Sequence, residues 1–432
     1  MTSTTTRPGP RGTRSSDGSP TELETVLATG GVRTVFQPIV HLGTADVVAY
    51  EALSRGPAGA LETPDALFGA AVREGRLAEL DAACRRSAFA AAVAAGLVAP
   101  HAVFVNVEPA VLDTARFDEL LEISGTAPGE LRVFLEITER AVSARPAELL
   151  RTVERVRDAG WGLALDDVGV EAESLAFMAL LRPDVVKLDM SLVQQRPDRN
   201  TAEVMHAVNA YAERSGALVL AEGIETDAHL DSALSLGASL GQGWRFGRPT
   251  SSPTVSPPGD RLALRPSPGT TSWLDTSPFA TLPPGTELRQ SSKRLLIELS
   301  KQLEREAARL GDTCVVAATF QEARHFTELT AGRYQELVER TAFVCALGEG
   351  LPPEPLPGLR GASLDPDDPV RGEWDLVVLS PHFCTALLAR DLGDDGPDLD
   401  RRFEYALTYR RDVVVDAAQA LLARVAPRII GS

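Results

Sequence analysis

Six short apolar runs in the first half of the chain each end in, or just before, a charged or amide side chain. They read VVAYEA, AVFVNV, RVFLEI, GLALDD, DVVKLD and ALVLAE, and each is followed by a helix-like stretch. The polar residues at these ends are Glu51, Asn106, Glu136, Asp166, Asp167, Lys187 and Glu222. In a parallel barrel, residues at the C-terminal strand ends converge on one mouth, where such barrels place their chemistry. Five carboxylates in one mouth repel one another unless divalent cations neutralise them. The pattern therefore predicts a metal-dependent enzyme.

From about residue 33 to residue 249 strand-like and helix-like segments alternate. Further strand candidates are RTVFQPIV and SLGQGWRF, which bring the number to eight. The intervening helix candidates end in Gly75, Gly96, Gly160, Gly216 and Gly237, the usual residue just past a helix C-terminus. Near-continuous apolar strands alternating with helices argue a parallel sheet covered on its outer face. Eight of them fit a closed (β/α)8 barrel better than an open doubly wound sheet, and no GxGxxG follows the first strand.

Residues 250–284 change character, with many prolines interrupted by Leu262, Leu264, Trp273 and Phe279. This is the pattern of an extended linker, with some of those apolar residues expected to dock on a domain surface. A smaller α/β domain follows over 285–432. Its opening segment, 287–311, reads as an amphipathic helix with Leu288, Leu295, Leu299 and Leu303 on one face and Gly311 as its stop. Strands are expected at CVVAATF, TAFVCALG and WDLVVLS, and helices at HFTELTAGRYQELVER, FCTALLARDL and VVVDAAQALLARV. Residues 1–22, rich in Ser, Thr, Gly and Pro, read as a disordered lead-in without a secretory signal. The domain division is thus 1–22, 23–249, 250–284 and 285–432.

Composition narrows the function classes. A net charge of −17 argues against non-specific nucleic-acid binding through a basic surface. No apolar run is long enough to span a bilayer. The four cysteines lack CxxC spacing and read as reduced thiols of a cytoplasmic protein. The six histidines form no HxH or HExxH pattern, which disfavours a histidine-built zinc site.

Oxygen donors in this number suit Mg²⁺ or Mn²⁺. Two such ions about 3.5–4 Å apart can clamp a phosphoryl group and activate water between them. Glu51, Asn106, Glu136 and Asp166 would form one shell, with Asp166 bridging to a second ion shared by Asp167 and Glu222. Lys187 would orient the attacking water or a phosphate oxygen. Asp189, read as lying on the same strand face, would hold Lys187 or bind metal through water. Gln242 is a donor to water or substrate, and Arg55 is either a phosphate contact or a surface arginine. Glu139 and Glu225, three residues after Glu136 and Glu222, are supports rather than ligands. Any one acid at a strand end is as easily a helix cap or a solvated loop residue; the set carries the argument.

Residues 33–249 resemble an EAL domain, the family of phosphodiesterases that open cyclic di-GMP. The matching stretches are FQPIV at 36–40, YEALSR at 50–55, VNVEP at 105–109, LEITE at 135–139, LDDVG at 165–169, VKLD at 186–189, AEGIET at 221–226 and GQGWRFGRP at 241–249. The resemblance implies a modified TIM barrel whose first strand runs antiparallel, and two Mg²⁺ or Mn²⁺ ions. It implies metal-binding roles for Glu51, Asn106, Glu136, Asp166, Asp167 and Glu222, with Glu51, Lys187 and Glu222 as the catalytic set. It further implies supporting roles for Glu139, Asp189, Glu225 and Gln242, with Gln37, Arg55 and Gln242 as the substrate-binding set. One stretch departs from the family: where active members read DDFGTGYSSL, this chain reads DDVGVEAESL. That difference bears on turnover rather than on cyclic di-GMP binding.

Residues 287–428 resemble a DICT domain, an accessory module associated with cyclic-dinucleotide signalling. SKRLLIELSKQLE, ATFQEARHFTELTAGRY, RGEWDLVVLSPHF and RRFEYALTYRRDVVVDAAQALL carry that resemblance. The expectation is a cytoplasmic homodimer that hydrolyses cyclic di-GMP to linear pGpG under control of the C-terminal module, with no membrane and no direct nucleic-acid partner. The rival is a degenerate barrel that binds cyclic di-GMP or a protein without turnover, and hydrolysis of another phosphodiester stays open.

Overall fold

Arg33–His41 (β1) and Val47–Arg55 (β2) form an antiparallel hairpin that opens the barrel. In the computed structural model, which describes residues 20–108, 117–138, 145–254, 262, 273, 276–395 and 397–425, six parallel strands follow. These are Ala102–Asn106 (β3), Arg132–Ile137 (β4), Gly162–Val168 (β5), Val185–Leu188 (β6), Leu218–Ala221 (β7) and Leu240–Gln242 (β8). β8 closes the ring by pairing antiparallel with β1. The expected eight-stranded barrel with a reversed first strand is what the chain forms.

The described helices around it are Glu22–Thr29 (α1), Pro64–Arg73 (α2), Leu77–Ala94 (α3), Phe117–Gly125 (α4), Pro146–Asp158 (α5), Glu173–Leu181 (α6), Met190–Gln194 (α7), Arg199–Ser215 (α8) and Asp227–Ser235 (α9). Short polar side chains start several of them: Thr63, Asp198 and Thr226 each accept a hydrogen bond from a first-turn amide. All five glycines expected to end helices have positive φ.

The barrel interior is filled by apolar residues near its floor, with Phe104 and Phe134 stacked 4.7 Å apart. Leu262, from the Pro-rich stretch, is buried among them. Arg132 holds it there by donating to the Leu262 carbonyl. Trp273 and Phe279 lie half-buried against the main core, so the linker docks as expected; Leu264 falls outside the described residues.

The second domain is a seven-stranded mixed sheet. Its strands are Arg289–Ser292 (β9), Val315–Glu322 (β10), Phe343–Glu349 (β11), Arg360–Ala362 (β12), Glu373–Leu379 (β13), Cys384–Asp391 (β14) and Arg402–Thr408 (β15), in the order β12-β11-β10-β13-β14-β15-β9. Lys293–Leu310 (α10) and Glu328–Arg340 (α11) share an apolar cluster with one face, and Arg411–Leu422 (α12) packs on the other.

Two expectations fail here. FCTALLARDL is not a helix: its core is β14, paired antiparallel with β13 on one side and β15 on the other. A short apolar run does not distinguish helix from buried strand by periodicity, and the two flanking partners decide. The helix expected from 287 begins at Lys293, because Arg289–Ser292 pair with β15 instead. Its buried face carries Leu296, Ser300, Leu303 and Ala307, while Leu288 and Leu295 are 38% and 44% exposed.

The two domains share a continuous apolar core. α12 lies between the sheet and barrel helices α5 and α6. Phe177 meets Phe343 edge-on with ring centroids 6.0 Å apart. Buried Gln419 donates to the Leu180 carbonyl at 2.7 Å, and Arg182 pairs with Asp416. Among the described residues no helix is long and apolar enough to cross a membrane. All four cysteines are free and buried.

Candidate active site

Parallel register sets Asn106 beside Glu136 and brings the C-terminal strand ends level. Glu51 on β2, Glu136 on β4, Asp166 on β5 and Glu222, directly after β7, surround Lys187 on β6. The ammonium nitrogen lies 2.6 Å from Glu136 Oε1, 2.8 Å from Asp166 Oδ1, 2.8 Å from Glu222 Oε1 and 3.7 Å from Glu51 Oε1. The lysine side chain is 1% exposed.

The surroundings treat the four acids differently. Burial alone would raise Glu51, but the charge of Lys187 and hydrogen bonds from Gln242 and Asn106 hold its pKa below the ordinary range. Asn106 Nδ2 donates to Glu51 Oε1 at 3.2 Å, and Gln242 Nε2 donates to Glu51 Oε2. Burial pushes Glu136 well up despite Lys187, with Glu51 and Asp166 adding to the shift. Glu222 is also raised, by burial first and then by Asp166 and Glu51. Lys187 moves upward, since its four acids outweigh the burial that would lower it.

One lysine thus faces four carboxylates, with Lys187 and Glu136 buried beneath a mouth where Glu222 is 22% exposed. Glu136 Oε2 accepts no hydrogen bond among the described residues. A buried carboxylate oxygen without a donor is costly, and a divalent cation supplies what the set lacks. The donors are all oxygen, matching hard cations. As placed, no three acidic, histidine or cysteine side chains among the described residues form a metal-ligating group, because Lys187 occupies the space between the oxygens.

The other expected residues fall in different places. Gln37 pairs across the hairpin with Glu51, and its Oε1 accepts from Gln242 at 3.2 Å. Arg55 ends β2, half-buried, and donates to the Ser54 carbonyl. Asp167 sits at φ 55° in the irregular end of β5, where the register with β6 shifts between Leu165 and Val168. Asp189 is not on the strand: it caps α7, its Oδ1 accepting from Ser191 N at 2.9 Å, and it is not among the acids paired with Lys187. β6 stops at Leu188, so the alternation that set Asp189 on the lysine's face does not extend that far. Glu225 is exposed in the loop before α9. Glu139 lies outside the described residues.

The loop that departs in sequence is locally well supported. Val168 is fully buried, Asn200 donates to the Gly169 carbonyl at 3.0 Å, and Ser174 Oγ donates to the Glu171 carbonyl. Gly169 has φ 109°, and a Cβ there would meet Leu192 at 2.4 Å. One positioning residue escaped the sequence reading: Gln194 Nε2 donates to the Gly223 carbonyl at 2.7 Å and fixes the turn after Glu222. A glutamine in a short helix carries no sequence signal of that role.

Comparison with known proteins yields two family matches. Residues 21–249 match the EAL domain, and residues 274–392 match the sensory domain in diguanylate cyclases and two-component systems. The barrel is 33% identical over 239 residues to cyclic di-GMP phosphodiesterase NbdA of Pseudomonas aeruginosa, covering 53% of this chain and 30% of that protein. It is 30% identical over 220 residues to probable cyclic di-GMP phosphodiesterase PdeB of Escherichia coli K12, covering 49% of this chain and 42% of that one. The chain therefore spans less than half the length of these two relatives. A solved structure, the calcium and cyclic di-GMP complex of BlrP1 from Klebsiella pneumoniae, aligns at 29% identity over 51% of this chain and 56% of that chain, with a TM-score of 0.46.

Proposed function

The chain belongs to the EAL domain family, and on that premise we propose that it hydrolyses one phosphodiester bond of cyclic di-GMP to give linear pGpG, under control of its C-terminal domain. The observation that carries the reading is the ring of Glu51, Glu136, Asp166 and Glu222 around buried Lys187 at the strand ends. Glu51, Asn106, Glu136 and Asp166 would hold one Mg²⁺ or Mn²⁺, and Asp166, Asp167 and Glu222 a second. When bound, such ions lower the pKa of water and neutralise the phosphoryl oxygens.

The chain's own residues do the rest. Gln242 and Asn106 keep Glu51 ionised and fixed by donating to its two oxygens. Lys187 places a permanent positive charge where the attacking water and a phosphate oxygen approach. Arg55 and Gln37 stand on the hairpin strands, where they would contact substrate. Glu225, Asp189 and Glu139 would support this arrangement. Regulation is supported by the packing of α12 on α6, the helix that follows the Asp166–Asp167 loop. Association as a homodimer and a cytoplasmic location belong to the same reading.

The test is incubation of the purified chain with cyclic di-GMP and Mg²⁺ or Mn²⁺, with chromatography for pGpG. Glu51→Ala is expected to lower the rate by about 10³-fold or more; undiminished hydrolysis would overturn the ligand assignment. Tight cyclic di-GMP binding with no product from the unaltered chain would favour a receptor instead.

A further inference from the structure

The second domain contains a cavity of about 410 Å³ between α10, α11 and the sheet, far from the barrel mouth in sequence and built from none of its residues. Interiors are packed with few voids larger than a water molecule, and an apolar hole left unfilled costs stability in proportion to its size. A space of this size falls within the range of small-molecule sites. Its floor is Ala318 of β10 and Leu376 of β13, both essentially unexposed. Its walls are aromatic. Trp374 is held in place by its indole N–H, which donates to Ser300 Oγ at 3.2 Å. Phe320 stands edge-on to Tyr334, with ring centroids 5.3 Å apart. Such walls favour a flat, conjugated guest, because offset and edge-to-face ring contacts add to simple area burial.

Each cation at the rim has an acidic partner, and Asp398 is shared with Arg401. Lys293 Nζ lies 2.8 Å from both oxygens of Asp398, and Arg333 Nε lies 2.6 Å from Glu304 Oε2. Lys301 pairs with Glu298 and Arg324 with Glu322. No rim cation is left unpaired for an anionic guest, which would lose its hydration for no partner. The remaining lining acid, Asp375, is buried, and burial raises its pKa well above the ordinary range and favours its neutral form. Tyr334, 1% exposed, lines the cavity, and a phenol hydroxyl offers a guest both a donor and an acceptor.

We propose that this cavity binds a neutral, planar aromatic or heteroaromatic small molecule with one polar group able to hydrogen-bond Tyr334. The site is placed to act on the barrel. α10, which lines the cavity, runs directly into the turn Gly311–Thr313, and that turn packs on α6 behind the Asp166–Asp167 loop. The inference deepens the regulatory reading of this domain, and its test reads binding, which stays measurable whether or not the barrel hydrolyses cyclic di-GMP.

The probes are N-phenyl-1-naphthylamine, neutral and planar-ringed, and 8-anilinonaphthalene-1-sulfonate, the same ring frame carrying an anion. Both are titrated by fluorescence into the full chain. The expected result is saturable binding at one site, with the neutral probe about tenfold or more the tighter. Ala318→Phe, which fills the floor, should weaken the neutral probe by about tenfold or more at unchanged far-ultraviolet circular dichroism. If that variant does not fold, Tyr334→Phe serves, with an expected weakening of about three- to tenfold from one lost hydrogen bond. The proposal is overturned by non-saturable binding, by equal or tighter binding of the sulfonate, or by full affinity in a folded Ala318→Phe chain and in Tyr334→Phe.

Discussion

The barrel mouth and the rim of the second domain's cavity both bury charged side chains, yet they balance them in opposite ways. At the mouth one lysine faces four carboxylates, and Glu136 and Glu222 are forced toward their neutral forms. At the rim Lys293 and Arg333 each have an acidic partner. Unmatched charge asks for a cation from outside and suits a site that handles phosphate. Matched charge asks for nothing and leaves shape and aromatic contact to select the guest. The two readings thus follow from one rule, that buried charge must be compensated.

The sharpest way to break this contrast is Lys187→Gln. With the lysine gone the acids have no internal counter-charge, so the metal-free protein should lose about 3–5 kcal/mol of stability. Mn²⁺ should recover much of that loss, while pGpG formation falls severely. A metal-free melting temperature equal to that of the unaltered chain would show that the mouth is not under charge stress.

Phe343→Ala asks whether the two regions share their energetics. It removes the ring that meets Phe177 and should cost about 3 kcal/mol. If α6 transmits strain to the Asp166–Asp167 loop, the hydrolysis rate changes as well. A rate identical to the parent's at a temperature where both are folded would separate the domains.

Asp375→Asn tests buried charge within the second sheet. Burial, then the neighbouring Glu373, raises the Asp375 pKa well above the usual carboxylate range. Below about pH 3.9, the ordinary aspartate value, both folded and unfolded chains hold the proton and no cost arises. As pH rises the unfolded chain ionises first and is favoured, until the folded-state pKa is passed and the cost is complete. The asparagine variant should therefore be more stable by about 1–2 kcal/mol at pH 8, with the gain vanishing toward pH 4 in thermal melts. A gain independent of pH would contradict the assignment.

Glu304→Gln has the smallest expected effect. Its partner Arg333 is 36% exposed and can turn to water, so stability should change by less than about 1 kcal/mol. A loss of several kcal/mol in chemical denaturation would mean that the rim pairs are not self-sufficient.

Much of the barrel could be read before any coordinates. Parallel strands are short, apolar on both faces and separated by helices, so each announces itself, and the residue at its end needs no long-range information to be placed at the mouth. Glu51, Glu136, Asp166, Lys187 and Glu222 were legible for that reason. Asp189 was not, because nothing local says that β6 ends one residue before it. Nor was β14, since FCTALLARDL alternates too little to distinguish strand from helix until β13 and β15 flank it.

The amino-acid order by itself determined which acids exist at which strand ends, and hence the kind of chemistry the mouth can support. Only the tertiary structure decided that Leu262 enters the barrel floor, that α12 ties the second sheet to α6, and that three aromatic rings enclose a space. Strand ends are fixed by local pattern, whereas a cavity or a docked linker depends on contacts between residues remote in the chain. Such contacts leave no periodic trace for the sequence to display.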